Sequence, residues 1–156
     1  MRIDLLEKID LCCPVCAWTR WDPAPLSLEV ETERHGDVVS GHLRCEACPR
    51  RYPILEGVAV LDPEPLRITY DRPDFLQAYL WTHFADLAKE SLDPDGPPRG
   101  DYFEALADQR VSGVVLDLGC NVGRTTLDLA ARADFVLGVE RSYEAVKRAR
   151  EIVRTG

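Results

Sequence analysis

No apolar run in the chain approaches the roughly 18 residues that a membrane span needs. The amino terminus, MRIDLLEKIDLCC, carries Asp4, Glu7, Lys8 and Asp10, so it lacks the apolar core of a secretory signal. Basic charge is also short. Acids outnumber bases by 27 to 19, for a formal net charge of −8, which argues against broad electrostatic capture of nucleic acid. No internal repeat is visible. These absences predict a cytoplasmic protein. In that compartment the six cysteines read as metal ligands or free thiols rather than disulfides.

Five of those cysteines fall within residues 1–62. Cys13-Pro-Val-Cys16 and Cys45-Glu-Ala-Cys48 are two C-x2-C knuckles, and each turns tightly enough to aim two sulfurs at one ion. Together they predict a four-thiolate structural zinc site, Cys13, Cys16, Cys45 and Cys48, with no coordination position left for catalysis. A redox dithiol and a pair of disulfides are the rivals. Cys12 is left over by the spacing, and His42 is a weaker alternative ligand. The gap of residues 17–44 exceeds the usual 15–20 or so, and a hairpin can absorb it. Leu26, Leu28 and Val30 alternate with polar residues, Val39, Gly41 and Leu43 do so less cleanly, and His35-Gly36-Asp37 reads as the turn. So short a segment has a marginal core, which bound metal would reinforce.

LLEKIDLCCPVC leads into the first knuckle, and LRCEACPRRYPILEGVAVL contains the second. Over roughly residues 3–62 this is similar to the short zinc-ribbon proteins that bind and activate tRNA, rRNA and protein methyltransferases. Tyr52, Pro53, Ile54, Gly57 and Leu61 match that family's pattern, and Ala59 stands where it often has proline. On packing grounds alone, Tyr52 and Ile54 seal the small core and Gly57 makes a turn.

Prolines 63, 65 and 73 mark residues 63–73 as a linker. From Asp74, the expected amino-terminal cap, Phe75, Leu76, Tyr79, Leu80, Phe84, Leu87 and Ala88 recur at helical spacing. The helix should stop before Asp93-Pro94-Asp95-Gly96-Pro97-Pro98, and Tyr102–Arg110 reads as another short helix. Tyr79, His83 and Tyr102 are candidates to cover a cofactor, with core packing as the default role.

Val114, Val115, Leu116 and Leu118 form a short apolar run, with Asp117 at its end, that suits a strand buried on both faces of a parallel sheet. Gly119 and Gly123 bracket a turn, and a helix should follow from about Val122 to Arg132. A second run, Phe135–Val139, ends at Glu140. This is a β-α-β unit near minimal length. An acid about 20 residues beyond the glycine turn, at the tip of the neighbouring strand, can accept hydrogen bonds from ribose hydroxyls. A further helix should run from Ser142, its cap, to about Arg154. It carries Lys147, Arg148, Arg150 and Arg154, which read as a solvated face or a local basic stripe.

The dinucleotide fingerprint G-x-G-x-x-G is not met, because the chain has D-x-G-x-x-x-G there. Asp117-x-Gly119-x-x-x-Gly123 instead resembles motif I of the class I S-adenosylmethionine-dependent methyltransferases, with Asn121 in place of the middle glycine. The resemblance implies a cofactor site of Asp117, Gly119, Cys120, Asn121 and Gly123 at the methionine end, with Glu140 on the ribose. Cys120 reads there as a small packing residue, because methyl transfer needs no covalent enzyme intermediate. No residue stands out as a catalytic base.

The expected fold is therefore α/β. A zinc ribbon in residues 1–62 and a linker in 63–73 precede helices and an incomplete Rossmann-like β-α-β-α methyltransferase unit in 74–156. That family's sheet has seven strands, and the sequence supplies two. The expectation is an amino-terminal part of a longer enzyme, or a chain completed by a partner or by self-association through the unpaired sheet edge. The methyl acceptor stays open among RNA, protein and small molecules. A non-catalytic zinc-ribbon adaptor that serves a separate methyltransferase is the alternative function.

Overall fold

His35 and Gly36 have φ of 53° and 78°, the geometry of a two-residue turn that matches the twist of paired strands. They join β1 (Leu26–Arg34) to β2 (Asp37–Cys45), with Arg34 opposite Asp37. In the computed structural model, which describes residues 1–62, 72–84, 106 and 109–155, this hairpin is the centre of the first of two units, Met1–Arg67 and Ile68–Gly156. The molecule is mixed α/β: an antiparallel sheet of order β1-β2-β3-β4 and a small parallel sheet.

β3 (Arg51–Leu55) and β4 (Val58–Ala59) meet through a second such turn, Glu56-Gly57, again with positive φ at both residues. Two helices precede the sheet, α1 (Leu5–Lys8) and α2 (Pro14–Arg20). The core holds Leu5, Ala24, Leu26, Val38, Leu43, Tyr52, Ile54 and Val58 around the buried cysteines. Tyr52 and Ile54 thus pack as their spacing predicts. The alternation predicted for β2 needs correcting. The pairing is irregular between Val30 and Glu33, shifting by one residue at Thr32 and shifting back at Glu33, which breaks the alternation there and leaves Val38 rather than Val39 fully buried. The Met1 ammonium is also buried. It donates to the Val38 and Gly57 carbonyls and pairs with Asp37 at 3.0 Å, fastening the chain start to the hairpin.

In the second unit, α3 spans Pro73–Phe84. Pro73, not Asp74, opens it, as suits a residue with no N–H to satisfy. Asp74 sits in the first turn and pairs with Arg72 at 2.7 Å. Residues 63–71 of the expected linker lie outside the described residues. So do Leu87, Ala88, the Asp93–Pro98 breaker, Tyr102 and most of the helix expected at 102–110.

β5 (Val114–Leu118) and β6 (Phe135–Val139) pair in parallel and in register, with α4 (Arg124–Ala130) between them. α5 (Tyr143–Thr155) follows, and Ser142 caps it by accepting from the Ala145 amide at 3.1 Å. α4 begins two residues later than expected, because Asn121 and Gly123 both take left-handed φ (50° and 85°). The expectation of burial on both faces of β5 is corrected. Asp117 faces α4 through its bond to Thr126. On the other face Val114, Leu116 and Leu118 are 59%, 55% and 73% exposed. Among the described residues β5 pairs only with β6. No described helix is long and apolar enough to cross a membrane.

Leu43 is fully buried at the middle of β2. Leu43→Ala should therefore cost about 2–5 kcal/mol, read as a lower urea midpoint for loss of β-sheet circular dichroism.

Candidate functional site

The first site is the cysteine cluster. Cys13 caps α2, Pro14 opens that helix, and Cys16 lies in its first turn. Cys45 ends β2, and Cys48 lies in the turn before β3. The four sulfurs all fall within 4.8 Å of one another, with Cys16 and Cys45 at 3.8 Å and Cys13 and Cys48 at 4.0 Å. Four sulfurs about 2.3 Å from a tetrahedral ion stand about 3.8 Å apart. Disulfide sulfurs are about 2.05 Å apart, so all four are free thiols placed to hold one metal ion, a geometry consistent with zinc. Cys12 is exposed and outside the cluster. His42 is outside it too, with Nδ1 3.2 Å from Glu31.

The thiols are not equivalent. Burial pushes Cys16 up to about 12. Burial also acts against ionisation of Cys13, but hydrogen bonds from the Tyr52 hydroxyl and the Cys16 amide outweigh it and bring Cys13 down to about 6. The Tyr52 contact, 3.1 Å from oxygen to sulfur, was not legible from spacing, which marks Tyr52 only as a packing residue.

The second site lies where β5 and β6 end. Glu140, directly after β6, uses its carboxylate on backbone amides. Oε1 accepts from Arg141 at 2.6 Å and Ser142 at 2.9 Å, and Oε2 accepts from Asn121 at 3.2 Å. It therefore clips the glycine loop to the start of α5. A carboxylate offers roughly four acceptor directions, so one remains on Oε2. The Asn121 Oδ1 is buried, with no hydrogen-bond partner among the described residues. Two acceptors thus belong to adjoining residues of one loop–acid pair. Sequence reasoning placed both ribose hydroxyls on Glu140 and did not foresee that the backbone takes most of its capacity.

The loop's own amides point inward. Gly119 and Cys120 donate to the Val139 carbonyl at 2.8 and 3.1 Å, Asn121 donates to Glu140, and Gly123 donates to the Cys120 carbonyl at 2.8 Å. A pyrophosphate cradle would need such groups free, so the loop is not built like a dinucleotide site. A side chain added at Gly119 would meet nothing within 4 Å, which leaves this surface open to a ligand.

Asp117 Oδ2 accepts from the Thr126 hydroxyl at 2.6 Å and so ties the end of β5 to α4. Cys120 is buried. Burial first, then the charges of Asp117 and Glu140, push its thiol up to about 11, which disfavours the thiolate. It fills the space beside Gly138, where an added Cβ would lie 3.0 Å from its sulfur. Arg124 reaches the His83 carbonyl at 3.1 Å and stacks over Phe84 at 5.6 Å, holding α3 on α4. Tyr79 meets the His83 ring edge-on at 6.0 Å. These two candidate covering residues therefore contact each other.

Gly123 combines φ of 85° with close approach to α5, where an added Cβ would lie 2.8 Å from Ala149 Cβ. Gly123→Ala should cost about 1–3 kcal/mol in urea unfolding. Adding Ala149→Gly should recover the steric share, leaving the double variant less destabilised than the summed singles. Compared with known proteins, the chain matches no family model and no curated protein.

Proposed function

We propose that the second unit binds S-adenosylmethionine for methyl transfer, and that the first is a zinc ribbon serving substrate recognition or internal activation. The observation that carries the cofactor reading is the meeting of Glu140 with the Gly119–Gly123 loop at the carboxyl ends of two parallel strands. Ligands of Rossmann-like sheets bind at that edge. The inward-turned amides disfavour a phosphate-bearing dinucleotide. The free direction on Glu140 Oε2 and the orphaned Asn121 Oδ1 fit two hydroxyl donors of a ribose. When bound, the cofactor supplies a sulfonium whose methyl group leaves readily. Asp117 holds the loop in place through α4, Gly119 leaves room for the methionine end, and Cys120 packs beneath. The protein's task is then to orient an acceptor and exclude water. The acceptor is RNA, a protein or a small molecule.

The zinc reading rests on the sulfur distances. Thiols must lose their protons to bind metal, so zinc affinity falls as pH is lowered.

A second reading, an adaptor that serves a separate methyltransferase, draws on exposed apolar surface. Trp18 and Trp21 stand 81% and 88% exposed at the end of α2, and the outer face of β5 is open. Such surfaces are typical of partner-binding sites. Self-association or a partner chain on the open edge of β5 fits either reading.

Calorimetric titration of the zinc-loaded chain should show saturable S-adenosylmethionine binding and none of NAD. Glu140→Ala should weaken binding at least about tenfold, with a ligand-free melting curve measured alongside because the same change unties the loop clip. Binding of NAD, or tight S-adenosylmethionine binding by Glu140→Ala, would contradict the assignment. In sedimentation velocity the chain should self-associate, and Leu116→Glu should reduce that. A concentration-independent monomer would remove the edge proposal.

A further inference from the structure

The four cysteines differ in what surrounds their sulfurs. Cys13 is buried, and its sulfur faces the Tyr52 hydroxyl at 3.1 Å. A metal-bound thiolate carries no proton, so the hydroxyl is the donor. Tyr52 is itself buried, which shields the bond from water and strengthens it. Cys45 is buried and accepts from the Ala47 amide at 3.4 Å. Cys16 is buried. Cys48 alone of the four is only half-buried, and among the described residues its sulfur meets only the Cys13 sulfur, at 4.0 Å, with no hydroxyl or amide donor.

We propose that these differences grade the thiolates of the metal centre. Cys13, held by the Tyr52 hydroxyl, is the guarded ligand, and Cys48 is the ligand at which soft electrophiles enter. Tyr52 then acts on the metal through Cys13, as a positioning residue. The proposal rests on the metal-centre reading. A hydrogen bond withdraws electron density from a thiolate and lowers its nucleophilicity, and burial keeps reagents away. Cys16 and Cys48 both lack a hydroxyl or amide donor among the described residues, and of the two only Cys48 is also accessible. With N-ethylmaleimide, the Cys48 sulfur attacks one alkene carbon. A carbon–sulfur bond forms, the sulfur gives up its bond to the metal, and the other alkene carbon takes a proton from water. A centre stripped of one ligand holds its metal weakly, so modification at Cys48 would release it.

The test uses the full zinc-loaded chain carrying Cys12→Ser, which removes the exposed non-ligand thiol. Metal content is measured first. The chain then receives limiting N-ethylmaleimide, with peptide mapping by mass spectrometry and zinc release followed by a chromophoric chelator. Cys48 should label first, with zinc release in step. Tyr52→Phe keeps the ring and removes the hydroxyl. It should lower metal affinity about 10–100-fold, speed labelling of Cys13, and shift the thiolate-to-metal charge-transfer band of the cobalt-substituted protein. A packing role alone would change stability and leave that band in place. Retained metal with Cys13, Cys16 or Cys45 labelled first, or an unshifted band in Tyr52→Phe, would overturn the grading. A chain that holds no metal would overturn the centre itself, and the grading with it.

Discussion

Four sulfurs brought within bonding range of one point are the constraint on which the first unit depends. They come from the start of α2, the end of β2 and the turn before β3. The hydrophobic core beneath them is small, built from Val38, Leu43, Tyr52, Ile54 and a few neighbours. Segments of this length are only marginally stabilised by apolar burial alone. Without an ion, four adjacent thiols, three of them buried, can ionise only in part. Cys13 gains charge through its hydrogen bonds while Cys16 loses it through burial. A cation would resolve that conflict by favouring the thiolate form of all four, which couples metal binding to folding.

The second unit has its own organising contact. Glu140 bonds to amides on both loops at the sheet's carboxyl edge, and Gly123 lets the glycine loop close against Ala149. A clip of this kind pre-arranges a crevice before any ligand arrives. It also gives one carboxylate two roles, so loss of Glu140 disturbs the loop as well as the proposed ribose contact. The exposed row of Val114, Leu116 and Leu118 is the unit's other salient feature. An apolar face of that extent on a parallel sheet is ordinarily covered.

Much of this was legible in the chain. C-x2-C spacing constrains backbone and sulfurs locally, so the spacing alone pairs the two knuckles. His35-Gly36 marked the hairpin because few residues accept positive φ, and Ser142 marked a helix start through a short-range bond. What stayed hidden depends on approach between distant residues. The bond from the Asn121 amide to Glu140 crosses 19 positions of sequence, and the Tyr52 contact with Cys13 crosses 39. Neither leaves a periodic signal. The register shift near Val30 was hidden because Val38 and Val39 are equally apolar. The open face of β5 was hidden because Val114, Val115, Leu116 and Leu118 read the same whether one face or two are covered.

The central claim is that one metal ion at the four cysteines holds the first unit folded. Residue-resolved amide hydrogen exchange, measured with zinc bound and after its removal by a chelator, addresses it most directly. The account predicts that amides in β1, β2 and β3 lose protection when zinc is removed and regain it when zinc is restored, while those in β5 and β6 stay protected. Unchanged protection in the first sheet after complete metal removal would contradict it.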